Sequence, residues 1–158
     1  MSFLIDQSGK IEQTNKNTVV AIANSIHATI ILKAKDKRDL QDIYREAGKP
    51  RVFPVQVFSA LTYLLIEKAK IVEGKIVEGI VYIDKEYPGH EDLIKSYISQ
   101  LIIKRGKVRL EPENIRFKLV GKTSNVHSVG YKAFKKGTAD FKVTKKDILA
   151  MILNYESK

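Results

Sequence analysis

Short apolar runs rich in β-branched residues fill the first 35 positions, and beyond them apolar residues recur mostly at helical spacing. Ser2–Ile11 opens with Phe3, Leu4 and Ile5 ahead of Asp6, and reads as a first strand. Thr18–Ile26 (TVVAIANSI) reads as a second strand and His27–Lys35 as a third, with Asn24-Ser25 expected to turn between them. Asp36 and Asp39 have the spacing of a capping box, and Leu40, Ile43, Tyr44 and Ala47 then recur on one helical face until Gly48-Lys49-Pro50. Pro54 is placed to begin a second helix, because a first-turn proline gives up an N–H that would lack a helical partner anyway. Val55–Lys70 is apolar almost all round and is expected to be central. Ile71-Val72-Glu73-Gly74 is echoed by Ile76-Val77-Glu78-Gly79, a spacing too short for a repeat architecture and read as a turn.

The next stretch organises the chain. Ile80-Val81-Tyr82-Ile83 is a buried-strand run that ends in two acids, Asp84 and Glu86. Pro88-Gly89 supplies a turn, and Glu91 and Asp92 suit the positive end of the helix predicted to run to Ile103. An acid at the C-terminal end of a strand, followed by a helix, is the usual site geometry of an open α/β sheet. Beyond a basic segment, Ile115–Val120 alternates apolar and basic residues and reads as a strand with one exposed positive face. Gly121–Lys136 is polar and Lys-rich and is expected to be mostly loop. Thr144-x-x-Asp147 opens a last helix. The order β-β-β-α(α)-β-α-β-α places the chain in the α/β class, as one domain over residues 1–158.

Composition narrows the function. The absence of cysteine removes disulfides and thiolate metal ligands. His27, His90 and His127 lack the spacing of a zinc site, and there is no Walker loop, G-x-G-x-x-G or G-x-S-x-G. His27 reads as structural and His90 as a neighbour of a helix cap. No apolar run approaches a membrane span and the N-terminus does not read as a signal peptide, so a cytoplasmic protein with no membrane partner is expected. The net charge of +10 is lopsided: residues 1–103 carry 14 basic and 13 acidic side chains, residues 104–158 carry 14 and 5. Such asymmetry points to a polyanion, most often nucleic acid. Lys104, Arg105, Lys107 and Arg109 form one candidate contact. Lys132, Lys135 and Lys136, with Lys142, interleave with Tyr131, Phe134 and Phe141 and form another, since aromatics stack bases while lysines follow phosphates.

The order of elements resembles the ribonuclease H-like fold, a mixed five-stranded sheet of three antiparallel and then two parallel strands flanked by helices. The resemblance implies an acid on the first strand, one at the end of the fourth, one in or near the first long helix and one near the last helix, with a His in the loop after the fifth strand in several members. Asp6, Asp84 and Asp140 stand at three of those places, and His127 stands at the place of the histidine. The helix acid has no clear counterpart, with Asp39, Asp42, Glu46 and Glu67 competing, and the segment HSVGYKAFKKGTAD departs from the cellular enzymes' signature. The implied activity is metal-dependent hydrolysis of RNA or DNA phosphodiesters. Asp6, Asp84, Asp140 and Glu86 would ligate Mg²⁺ or Mn²⁺, and His127 would handle protons. Two further readings stand beside it: a non-catalytic nucleic-acid-binding protein on the same scaffold, and a protein whose basic third meets an acidic partner protein. Asp140-Phe141-Lys142 and Glu73-Gly74-Lys75 also echo the acid-x-Lys of restriction-enzyme-like nucleases, a fold the three opening strands suit less well.

Overall fold

The computed structural model describes residues 2–23, 27–69, 79–121 and 124–156, with side chains as far as Ile152. The strands are β1 (Ser2–Ser8), β2 (Thr18–Ala23), β3 (His27–Leu32), β4 (Ile80–Asp84), β5 (Ile115–Lys118) and β6 (Phe141–Val143). The helices are α1 (Ala34–Glu46), α2 (Val52–Lys68), α3 (Glu91–Arg105), α4 (Asn125–Lys136) and α5 (Lys145–Glu156). They build one mixed sheet in the order β5-β4-β1-β2-β3-β6. β1, β2 and β3 are antiparallel neighbours; β4 joins β1, β5 joins β4 and β6 joins β3, all in parallel. The class and the passage from antiparallel to parallel strands are as expected. The sheet has six strands, not five, because Phe141-Lys142-Val143 adds beside Ile30-Ile31-Leu32.

The period of two along β1 divides the molecule. Phe3 and Ile5 join Val20, Ile22, Ile30, Leu32, Val81 and Ile83 in the main core, where α2 lies with Phe53, Val57, Phe58, Leu61 and Leu65 buried against the sheet. α3 enters the same core through Ile94 and Ile98 and α5 through Ile148 and Met151. The opposite face carries Leu4, Asp6 and Ser8 of β1 and Ala21 and Ala23 of β2, and α4 covers it across β1, β2 and β3.

α4 overturns the expected loop at 121–136. Ser124 caps it, accepting a hydrogen bond from His127 N at 3.2 Å. Its inward residues, Val126, Val129, Gly130 and Ala133, have helical spacing but little bulk. Smallness is what lets it lie close: a Cβ on Gly130 would stand 3.2 Å from that of Ala21. Other boundaries differ less. α1 starts at Ala34 after Lys33, whose side chain does not cap the helix but donates to Gly137 O, so Asp36 lies in the first turn and is not the cap. α2 starts at Val52, leaving Pro54 still within the first turn, where no helical N–H bond is lost. α3 runs on to Arg105 and ends on Gly106 at φ 63°. The capping box before α5 forms, with Thr144 N donating to Asp147 Oδ2 at 2.9 Å. The turn at Asn24-Ser25 and the echo through Glu78 lie outside the described residues.

Among the described residues Lys37 is a charged side chain with no exposed surface. It is fully buried on α1 and its ammonium donates to the carbonyls of Lys10, Gln13 and Lys16 at 2.9, 2.8 and 2.6 Å. These belong to the β1–β2 connection, which Lys37 therefore holds from beneath. Among the described residues no helix is long and apolar enough to cross a membrane.

Candidate metal centre

The β1–β4 register pairs Leu4 with Tyr82 and Ile5 with Ile83, so Asp6 and Asp84 come next, side by side on the face that α4 covers. Glu86 follows where the chain bends out of β4, its N–H donating to Asp84 O at 2.8 Å. One carboxylate oxygen from each of Asp6, Asp84 and Glu86 lies within 4.8 Å of the others. Asp6 is buried, while Asp84 and Glu86 are half-buried, so the cluster opens to solvent along one side.

Each acid is held by a different element. Asp84 Oδ1 accepts from Val120 N at 2.7 Å, which ties it to the end of β5. Asp6 Oδ2 lies 2.9 Å from His127 Nδ1, in the first turn of α4. Beneath the bend, Tyr87 is buried against Phe58, ring centres 5.3 Å apart, and its hydroxyl accepts from Ile11 N at 3.2 Å and bonds Gln7 Oε1 at 3.1 Å. The bend is thus braced on the main core.

Crowding and burial raise the proton affinity of the cluster. Burial lifts the Asp6 carboxyl above its ordinary range; the His127 hydrogen bond pulls the other way and Asp84 adds to the rise. Glu86 is pushed up to about 9, first by burial, then by the hydrogen bond and charge of Asp84 and the charge of Asp6. Three convergent hard oxygens with too little positive charge among them hold either shared protons or a divalent cation. Mg²⁺ and Mn²⁺ take such donors and keep water in the remaining positions.

The candidates separate cleanly. Asp6, Asp84 and Glu86 come together, with His127 on Asp6, although His127 stands on a helix and not in a loop. Asp140 does not join them. It follows the end of α4 and its carboxylate is taken by Thr29, accepting from the backbone N at 3.0 Å and from the hydroxyl at 3.3 Å. Thr29 is opposite Ala21, which is opposite Asp6, so two strand spacings of roughly 4.8 Å intervene. Asp39, one of the competing helix acids, pairs with Lys145 at 2.8 Å, and Glu67 with Arg105.

The first basic candidate group is also displaced. Lys104 and Arg105 sit in the last turn of α3. Arg105 forks onto Glu67 at 2.9 and 3.1 Å, and Lys104 donates to Met151 O at 2.9 Å. Lys107 and Arg109 are exposed, but the connection from α3 to β5 lies at the other end of the parallel strands from the acids. Lys132, Lys135 and Lys136 are on α4: Lys135 lies by Tyr131, whereas Lys132 and Lys136 line a pocket with Thr29 and Asp140, on the side of the helix away from the acids. Arg116 and Lys118, visible in the sequence only as the basic half of an alternating strand, belong nearer: Lys118 stands opposite Asp84 in the β4–β5 register, and its Nζ lies 4.5 Å from the centre of the Tyr82 ring. Compared with known proteins, the chain matches no family model, no curated protein and no solved structure.

Proposed function

We propose that this protein is a metal-dependent nuclease of the ribonuclease H-like type, hydrolysing phosphodiester bonds of RNA or DNA. The observation that carries the reading is the meeting of Asp6, Asp84 and Glu86 at the C-terminal ends of adjacent parallel strands, within 4.8 Å. The order β5-β4-β1-β2-β3, with β6 added at one edge, supports the same scaffold. Glu86, just past the fourth strand, takes the part for which the helices offer no acid.

Asp6, Asp84 and Glu86 would hold Mg²⁺ or Mn²⁺, which activates a water and stabilises the charge on the leaving oxygen. The chain's own groups do the rest. Val120 N fixes the Asp84 carboxylate, so that ligand is aimed before any ion arrives. His127 orients Asp6 through Nδ1 and stands where it can hold a proton at the edge of the site. Lys118, opposite Asp84, and Lys135, beside Tyr131, would offset the acids' repulsion of phosphate.

The test is cleavage of end-labelled single strands, duplexes, hybrids and junctions in Mg²⁺ or Mn²⁺, with Asp84→Asn as the control. A metal ligand contributes several kcal/mol of charge stabilisation, so the variant should lose about 10³-fold or more in rate. It should bind nucleic acid as well as the wild type or better, with one negative charge fewer facing phosphate. Wild-type protein inert on every substrate would sink the nuclease reading and leave the non-catalytic binder on the same scaffold.

A further inference from the structure

The side of α4 that faces the acids is a ladder of rings. His127, on Asp6, stacks on Tyr131 one turn later, with centres 6.1 Å apart and planes 16° apart; Tyr131 stacks in turn on Phe134 at 6.4 Å and 29°. Phe134 ends the ladder against the β1–β2 connection, where a Cβ on Gly9 would stand 2.8 Å from the Phe134 ring edge. The middle ring is not core. Tyr131 is 47% exposed, and Lys135, a turn further on, has its ammonium 5.9 Å from the ring centre. On the other side of the acids, β5 offers Lys118 over the half-buried Tyr82, with exposed Arg116 next to it. The acids therefore lie between an aromatic ridge with its own lysine and a positively charged shelf.

The geometry points to an unpaired nucleic-acid strand as the ligand of this channel, with a base on Tyr131, phosphates passing Lys135 and Lys118, and the backbone crossing Asp6 and Asp84 between them. This rests on the nuclease reading for what happens at the acids, but the binding stands apart from it. In a duplex the base faces are already stacked on one another, and a lone exposed ring beside the backbone offers them nothing. An unpaired base has a free π-face, and ring and base gain by covering each other. The ring face does not distinguish ribose from deoxyribose, so DNA and RNA strands are both bound in the first instance.

The test is fluorescence anisotropy in EDTA, so that no cleavage intervenes. Its probes are labelled oligothymidylate, labelled oligouridylate and a blunt DNA duplex of the same length. Single strands should bind about tenfold tighter than the duplex, or more. Tyr131→Ala should weaken single-strand binding by about 5- to 150-fold and leave duplex binding and the melting temperature nearly unchanged; Tyr131→Phe should behave as wild type. Lys118→Ala should flatten the salt dependence of single-strand binding by about 0.7 in the log–log slope. Duplex bound as tightly as single strand, or Tyr131→Ala without effect, overturns the proposal even if the protein cleaves duplex. Tight, Tyr131-dependent single-strand binding by a protein that never cleaves upholds it and removes the nuclease reading instead.

Discussion

On one side of the sheet, α2 is buried along most of its length among apolar side chains from all six strands and from α1, α3 and α5. On the other, α4 rests on Ala21 and Ala23 through Val126, and the space beside it is occupied by three carboxyl groups and a histidine. On the thick face, charge is closed off where Arg105 forks onto Glu67 and Lys37 onto its three carbonyls. The thin face keeps helix and strand close with alanine and glycine, so side chains at the strand ends remain within reach of water. The main core and the acid cluster lie on opposite sides of the same strands, and β1 serves both: Ile5 points one way and Asp6 the other.

The sharpest way to break this contrast is a pair of truncations. Phe58→Ala, on the thick face, should cost about 3–5 kcal/mol in urea unfolding. Val126→Ala, on the thin one, should cost about 1–2 kcal/mol. Equal losses would mean that α4 carries as much of the fold as α2. Next in size is Arg105→Ala, which removes a forked, half-buried pair and should cost about 2 kcal/mol. Because Arg105 belongs to the thick face, the salt dependence of nucleic-acid binding should not move. A flattened slope would return the α3 end to the binding surface.

A further effect is one of pH and has the sign of crowded acids. Asp6 and Glu86 hold protons more tightly folded than unfolded, so the native state binds more protons between the ordinary carboxylate range and about 9. Metal-free protein should therefore be most stable near the low end of that window and lose stability as pH rises through it. Glu86→Gln should flatten the profile and raise the melting temperature at pH 8. Mg²⁺ should restore wild-type stability there by binding only the folded cluster. A profile that rises with pH instead would show that the acids are not crowded in solution.

The thick face is legible in the sequence because bulk and period announce it. Leu40 and Tyr44 on α1 and the nearly all-round apolar character of α2 leave few alternatives. The Asp6–Asp84 meeting is legible too, since both follow short apolar runs and parallel pairing of those runs sets them abreast. The thin face is not. Val126, Val129, Gly130 and Ala133 carry helical spacing, but small side chains give it almost no hydrophobic weight, and lysines at 132, 135 and 136 mask the rest. β6 is three residues long, below what alternation can signal. Asp140 has a ligand's place before the last helix, yet its carboxylate holds β3 to the start of β6 through Thr29. Lys104 and Arg105 read as part of a basic contact segment because the apolar face of α3 stops at Ile103, whereas the helix itself continues through both.

Lys37 imposes an order in time. The carbonyls of Lys10, Gln13 and Lys16 are made before Lys37 leaves the ribosome, and they reach their native partner only when α1 has coiled and turned its ammonium under them. The first hairpin can pair its strands earlier, but the connection that closes it waits for a helix encoded after the third strand. In pulse-labelled hydrogen exchange during refolding, the amides of Gln13 and Lys16, which bond within that connection, should gain protection in step with α1 and later than those of β2. Protection that arrives with the strands would mean that the connection closes unaided. A nascent chain stalled before α1 would carry its first two strands with the segment between them still unsettled.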